Sequence, residues 1–154
     1  MLKLKKITEI NKEKEITILA AKSIPNKAFN NFKSNINELI EILENSQNKR
    51  EESIKRDIDT FLKSIDYTTS VAKGDIDLVI EKDDKTQVII ETKSLNNKND
   101  FIIGDHFNCK AVWESVSYFL EEHVIKRNNS LKRIIITNGL DWYIFSSFID
   151  LRVK

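Results

Sequence analysis

The sequence has very little cysteine, proline or glycine. Its 154 residues include one cysteine, one proline and three glycines. A single cysteine, Cys109, excludes a disulfide within the chain and favours an intracellular protein. The scarcity of glycine and proline predicts long regular elements joined by short or polar loops.

Long apolar segments are also lacking. Residues 1–15 carry charge throughout and contain no apolar core of a signal peptide. No stretch approaches the roughly 18 apolar residues that a membrane-spanning helix needs. Together with the single cysteine, these features predict a cytoplasmic location.

The chain has almost no net charge, at +1, although 32% of its residues are charged. It is therefore no polycation that would attract nucleic acid over its whole surface. Any contact with DNA must use local basic patches. A hydrophobic content of 40% in 154 residues is enough for one compact domain with a core.

Three segments have apolar residues at helical spacing. The first two are residues 29–43 and 51–65. The third, residues 108–126, is expected to turn six side chains inward: Val112, Trp113, Val116, Phe119, Leu120 and Val124. We also expect Trp142 to belong to the core.

Five segments are rich in β-forming residues: 67–72, 75–81, 86–93, 131–137 and 141–148. Residues 94–105 resemble a loop, and 15–21 could form a further short strand. The order α-β-β-β-α-β-β predicts an α/β fold with a mixed central sheet flanked by helices. We expect an N-terminal extension with one amphipathic helix over residues 1–48, and a core over 49–154, together forming one compact domain.

Two charged residues end an apolar strand and share one of its faces. Glu91 and Lys93 follow the apolar run at 88–90, and buried charge without a partner is costly. A three-residue loop at 83–85 would place Asp77 opposite Glu91 and Asp75 opposite Lys93. A two-residue loop would put Asp77 and Glu91 on opposite faces.

Two carboxylates at cross-strand distance repel each other unless a positive charge lies between them. Lys93 supplies one such charge. A Mg²⁺ ion would supply two, because it prefers hard oxygen ligands and retains water. Such an ion lowers the pKa of bound water and stabilises charge on a phosphate. The cluster therefore indicates a hydrolytic metal site.

The spacing D-x13-E-x-K, formed by Asp77, Glu91 and Lys93, resembles the PD-(D/E)XK nuclease superfamily. Glu91-Thr92-Lys93 is the only E-x-K triplet in the chain. The resemblance extends over roughly residues 50–147, which look like the N-terminal cleavage domain of single-chain type IIG restriction–modification enzymes. It is carried by REESIKRDIDTFL, AKGDIDLVI, VIIETKS, NCKAVWESVSYFLEE and RIIITNGLDWYIF.

The resemblance implies a restriction-endonuclease-like core and a Mg²⁺-dependent endonuclease that cuts double-stranded DNA, with Mn²⁺ as a substitute ion. Asp77 and Glu91 would bind the metal, the backbone carbonyl of Thr92 would be a further ligand, and Lys93 would be the catalytic lysine. Glu52 matches an acid that often completes such sites. A methyltransferase and a target-recognition region follow in such enzymes, so the resemblance predicts that this chain is a fragment.

Several alternatives remain open from the sequence alone. Ile76 stands where the superfamily has proline, so Asp75 is a rival to Asp77. Glu52 also suits the first turn of a helix through the helix dipole. Lys110 could reach a phosphate or simply be exposed. His106 and His123 lack metal-ligand spacing. The cluster itself could be a solvated ion pair at a sheet edge.

The alternative functions are a nuclease-fold module that binds DNA or another partner without cutting, and a nuclease that acts on RNA.

Overall fold

The computed structural model describes residues 25–45 and 50–146 of the chain. The strand considered at 15–21 lies outside these residues. The elements are α1 (Asn26–Glu44), α2 (Glu51–Ser64), β1 (Thr69–Lys73), β2 (Ile76–Lys82), β3 (Lys85–Thr92), α3 (Lys110–Leu120) with a π-helical continuation (Glu121–Ile125), β4 (Arg133–Thr137) and β5 (Trp142–Ser146). None of the described helices is long and apolar enough to cross a membrane.

The five strands form one mixed sheet in the order β1-β2-β3-β4-β5. The first three strands make an antiparallel meander, β4 runs parallel to β3, and β5 is antiparallel to β4. A parallel neighbour requires a crossover, which α3 provides between β3 and β4. The predicted α/β class with a mixed central sheet is confirmed.

Helices cover both faces of the sheet. Because side chains alternate along a strand, β2 and β3 contribute to both faces. On one face, Leu78 and Ile90 pack against α1 and α2, whose buried apolar residues are Leu39, Leu43, Ile54, Ile58, Phe61 and Leu62. On the other face, Val79 and Ile89 pack against Phe119 of α3. The candidate charged residues of β2 and β3 share the face that α3 covers.

The hairpin between β2 and β3 differs from the prediction in its turn. Lys82 pairs with Lys85, so the loop has two residues and not three. Both loop residues, Asp83 and Asp84, have positive φ, as two-residue hairpin turns often require.

A β-bulge nevertheless restores the predicted register. Glu81 pairs with Thr86 but Ile80 pairs with Val88, so Gln87 is an extra residue on β3. Beyond the bulge, Leu78 pairs with Ile90, and the same register places Asp77 opposite Glu91. The acids therefore face each other as expected, although the expected loop length is wrong.

The inward face of α3 was predicted only in part. Trp113 is 63% exposed, and Val116, Leu120 and Val124 are exposed as well. Phe119 is buried as expected, and the helix also buries Ala111 and Ser115. The Trp113 indole N–H donates to Asn108 Oδ1 at 2.9 Å. By contrast, Trp142 packs edge-on against Phe61.

Candidate catalytic and metal site

The structure brings Asp77, Glu91 and Lys93 together where β2 and β3 meet. Glu91 and Lys93 are buried, with only 2% and 3% of their surfaces exposed. The Lys93 ammonium donates to Glu91 Oε1. Asp77 is close enough for its charge to raise the pKa of Glu91, although burial of Glu91 is the larger cause. The three residues singled out by their spacing thus form one cluster.

Thr92 fixes the position of the Asp77 carboxylate. Asp77 Oδ2 accepts a hydrogen bond from the Thr92 backbone N–H at 2.9 Å and another from Thr92 Oγ1 at 2.7 Å. Thr92 is fully buried, so this anchor is rigid. Asp77 Oδ1 lies 3.4 Å from Lys55 Nζ. The side chain and N–H of Thr92 therefore have a structural task beside the predicted role of its carbonyl.

A carboxylate from α3, Glu114, completes the cluster and was not predicted. Glu114 Oε2 lies 2.9 Å from Lys93 Nζ, and Glu114 Oε1 lies 3.4 Å from Lys110 Nζ. Lys110 itself is largely exposed at the edge of the site. The sequence contains a signal for Glu114, because it is the only acid between Lys110 and Leu120 and follows Lys110 by four positions.

The acid that α2 brings next to Lys93 is Glu51, not the predicted Glu52. Glu51 Oε1 lies 3.7 Å from Lys93 Nζ. The Glu52 side chain is 80% exposed and binds Lys55 at 2.7 Å. Adjacent residues on a helix point about 100° apart, so only one of them can face the sheet. Glu52 reaches the cluster only through Lys55, which also lies near Asp77.

Burial governs the protonation of the Glu91–Lys93 pair. It raises the pKa of Glu91 to about 8, and the Lys93 hydrogen bond opposes this only in part. Burial alone would lower the pKa of Lys93, but its hydrogen bonds to Glu91 and Glu114 hold that pKa above its ordinary value. The site therefore favours the charged form of Lys93 and disfavours the charged form of Glu91.

The cluster also shifts the pKa values of two nearby groups on α3, Glu114 and Tyr118. Burial raises the pKa of Glu114, but Lys93 outweighs it and holds that pKa below its usual value. Burial, followed by the charge of Glu91, raises the pKa of Tyr118 to about 12. Tyr118 follows Glu114 by four positions, so one face of α3 presents both groups to the cluster.

The remaining sequence candidates lie away from the cluster. Asp75 is exposed in the turn between β1 and β2, not within a strand opposite Lys93. His106 is exposed. His123 stacks on Phe119 with ring centroids 5.2 Å apart. His106 is thus a surface residue and His123 a packing residue.

The oxygen atoms at this site are of the chemical type that binds a hard divalent cation. Glu91 Oε2 is buried and accepts no hydrogen bond within the described part of the chain. With a carboxylate oxygen of Asp77 and the Thr92 carbonyl, it offers the oxygen ligands that Mg²⁺ prefers. Across residues 25–45 and 50–146, no three His, Cys, Asp or Glu residues are grouped so that they could hold an ion by themselves. A backbone carbonyl and water would have to complete the shell.

The fold and site define an α/β domain with a buried, charged cluster at the junction of β2 and β3. The chain belongs to the DUF7149 family, a domain of unknown function, whose family model matches residues 11–149. No curated protein matches the chain. No solved structure matches it either.

Proposed function

We propose that this protein is a Mg²⁺-dependent endonuclease domain that hydrolyses DNA phosphodiester bonds. The observation that supports the proposal best is the convergence of Asp77, Glu91 and Lys93 on one face of adjacent strands. The spacing D-x13-E-x-K predicted this convergence, and a bulge was needed to produce it. Bulges are common next to active sites because they re-aim side chains.

The order of elements also supports a restriction-endonuclease-like core. A helix, a three-strand meander, a crossover helix and a further strand occur in the order that the resemblance to PD-(D/E)XK nucleases implies. The meander supplies Asp77, Glu91 and Lys93, and the crossover helix returns Glu114 to the same place. We include this finer fold class in the proposal.

The proposed roles follow from the contacts. Asp77, Glu91 and the Thr92 carbonyl hold the metal, and Thr92 keeps Asp77 in place through two hydrogen bonds. Lys93 stays protonated beside Glu91 and Glu114, so it acts as a hydrogen-bond donor to a phosphate oxygen or to the attacking water, and not as a base. Bound Mg²⁺ would supply a Lewis acid that lowers the pKa of water at the phosphate.

The charge of the site supports a role for a metal ion. Ion pairs link five carboxylates to three ammonium groups: Glu51, Glu52, Asp77, Glu91 and Glu114 with Lys55, Lys93 and Lys110. This network is negative overall when all its groups are ionised, so it repels a phosphodiester. A divalent cation would offset the excess charge and allow a phosphate to approach.

The resemblance assigns the domain to a restriction–modification enzyme in the cytoplasm, fused to methyltransferase and target-recognition regions. A net charge of +1 agrees with a cutting module that depends on a separate reader. On its own, the domain should bind double-stranded DNA weakly and without sequence preference. Its affinity should fall steeply with salt, because binding would rest on contacts to phosphate.

A second candidate function is a nuclease-fold module that binds a partner without cutting. Two observations favour it. The Lys93 ammonium is already engaged by two carboxylates. In addition, Trp113, Val116, Leu120 and Val124 form an exposed apolar stripe on α3, and such stripes mark protein interfaces.

Plasmid nicking separates the two functions. Supercoiled DNA is incubated with excess protein at low salt, with Mg²⁺, Mn²⁺ or EDTA. Slow nicking at scattered positions, present with either metal and absent with EDTA, supports the nuclease. Intact plasmid under every metal condition, with the protein folded, supports the binding module. A parallel incubation with single-stranded RNA shows whether the substrate is instead RNA.

A further inference from the structure

A cavity of about 400 Å³ lies at the same end of the sheet as the candidate site. It opens between two loops, residues 94–104 and 138–141. Ser94, in its wall, follows Lys93 in the chain. Asn138, also in its wall, follows Thr137, whose carbonyl accepts a hydrogen bond from the Lys93 N–H at 2.9 Å. The cavity and the charged cluster therefore share the same edge of the sheet.

The cavity has an apolar floor and an apolar mouth. Phe101 and Tyr143 line it and are buried, with ring centroids 5.6 Å apart in an edge-on arrangement. Ile103 and Leu140 also line it but are 53% and 42% exposed. Apolar side chains on both loops create a slot in which a flat apolar group can lose contact with water.

Polar groups stand at the walls of the same cavity. Asn138 Oδ1 accepts hydrogen bonds from the backbone N–H groups of Leu140 and Asp141, which fixes the amide and leaves its N–H₂ group to donate. Asp141 and Lys98 line the cavity too. Within the described residues, Lys98 makes no ion pair. A fixed amide group suits the polar edge of a base, and a lysine suits a phosphate.

Building on the proposed nuclease function, we propose that this cavity binds one unpaired nucleotide next to the phosphodiester that is cut. The base lies between Ile103 and Leu140 above the aromatic floor, and its phosphate lies at Lys98. A base stacked within a duplex cannot enter a recess between two loops, so the strand must be single or the base must leave the stack. Cavities of this size are typical of small-ligand sites.

The test measures binding in EDTA, which removes divalent metal and so prevents metal-dependent cleavage. The affinity of the protein is measured by fluorescence anisotropy for a short labelled single strand and for the same strand with every base removed. Burial and stacking of a base should make the base-containing strand bind about fivefold more tightly or better. Leu140→Ala should remove most of this ratio, whereas Lys98→Ala should weaken both strands alike. Lys132 is an exposed lysine immediately before β4, and Lys132→Ala should leave the ratio unchanged.

Equal affinities for the two strands, or an unchanged ratio in Leu140→Ala, would overturn the proposed cavity. Leu140 and Lys98 are exposed, so these variants should fold. Incubating the parent protein and the strand with Mg²⁺ then separates the two proposals. Scission without a preference for bases would contradict the cavity alone. A clear preference for bases without any scission would contradict the nuclease alone.

Discussion

The ammonium of Lys93 lies 2.9 Å from the carboxylate of Glu114, although one residue follows a strand and the other belongs to the helix above it. Glu91 binds the same ammonium from the strand side. This bridge makes the burial of Lys93 tolerable, because a buried charge is stable only with partners. It also makes the geometry of the site depend on how α3 packs against the sheet.

The first prediction concerns pH and the stability of the metal-free protein. The Glu91 pKa is about 8 in the fold, against an ordinary value of 4.5. Between these values the folded state binds more protons than the unfolded chain, so the free energy of unfolding should fall as pH rises. The slope from one such group is at most about 1.4 kcal/mol per pH unit. Urea unfolding in EDTA from about pH 5 to about pH 8 measures it.

Glu91→Gln should flatten this slope, because the amide does not titrate. Glu41 is an exposed residue of α1, so Glu41→Gln should show the same dependence of unfolding free energy on pH as the parent protein. Added Mg²⁺ should restore the stability of the parent protein at the upper end of this pH range, because it binds the ionised carboxylate of Glu91. An identical slope in the parent and in Glu91→Gln would show that another group causes it.

The second prediction compares the two candidate acids around β2. Asp77→Asn should fold, because its amide oxygen still accepts hydrogen bonds from Thr92, but Mg²⁺-dependent nicking should fall by about 10²-fold or more. Asp77→Ala should also lose about 1–3 kcal/mol of stability, because the buried Thr92 N–H loses its acceptor. Asp75→Asn, in an exposed turn, is the matched control and should nick like the parent. An inactive Asp75→Asn beside an active Asp77→Asn would reverse the assignment.

The third prediction distinguishes neighbouring acids at the start of α2. Glu51 faces Lys93, whereas Glu52 is exposed beside Lys55. Glu51→Gln removes negative charge from the site, so it should raise the Mg²⁺ concentration for half-maximal nicking about tenfold. Glu52→Gln should leave that concentration unchanged. If the two variants behave in the opposite way, Glu52 is the acid that completes the site.

The fourth prediction tests the packing of α1 on the turn before β5. A Cβ added to Gly139 would overlap Leu43 of α1, whereas one added to Gly104 meets nothing within 4 Å. Both glycines have positive φ. Gly139→Ala should therefore cost about 1–3 kcal/mol more in unfolding free energy than Gly104→Ala, because overlap in a packed core is added to backbone strain. Equal costs would mean that the end of the Leu43 side chain does not resist the added methyl group.

Local pattern predicted the elements of the fold and the two strands that carry the acids. It could not predict how register is set between them. Asp83 and Asp84 tolerate positive φ and close a two-residue turn, and Gln87 then bulges to compensate. Neither feature can be recognised from the hydrophobic pattern, because the continuous apolar run at 88–90 is compatible with both registers.

The contribution of α3 to the site also could not be predicted from the local sequence pattern. Apolar residues are numerous along this helix, so its periodicity predicted both Trp113 and Phe119 as inward residues, although only Phe119 is buried. The small residues Ala111 and Ser115 are buried beside Phe119, which the apolar pattern did not predict. Only the packing of α3 against the sheet brings Glu114 to Lys93, and it depends on tertiary contacts between distant parts of the chain.

The most direct measurement is the rate of plasmid nicking in Mg²⁺ by the parent and by Lys93→Met, purified in the same way. Circular dichroism should verify that the variant is folded, and Asp77→Asn serves as a second variant if it is not. The account predicts metal-dependent nicking by the parent and a loss of about 10²-fold or more in the variant. Equal nicking by both proteins, or no nicking by the folded parent with any divalent metal, would contradict the proposed nuclease.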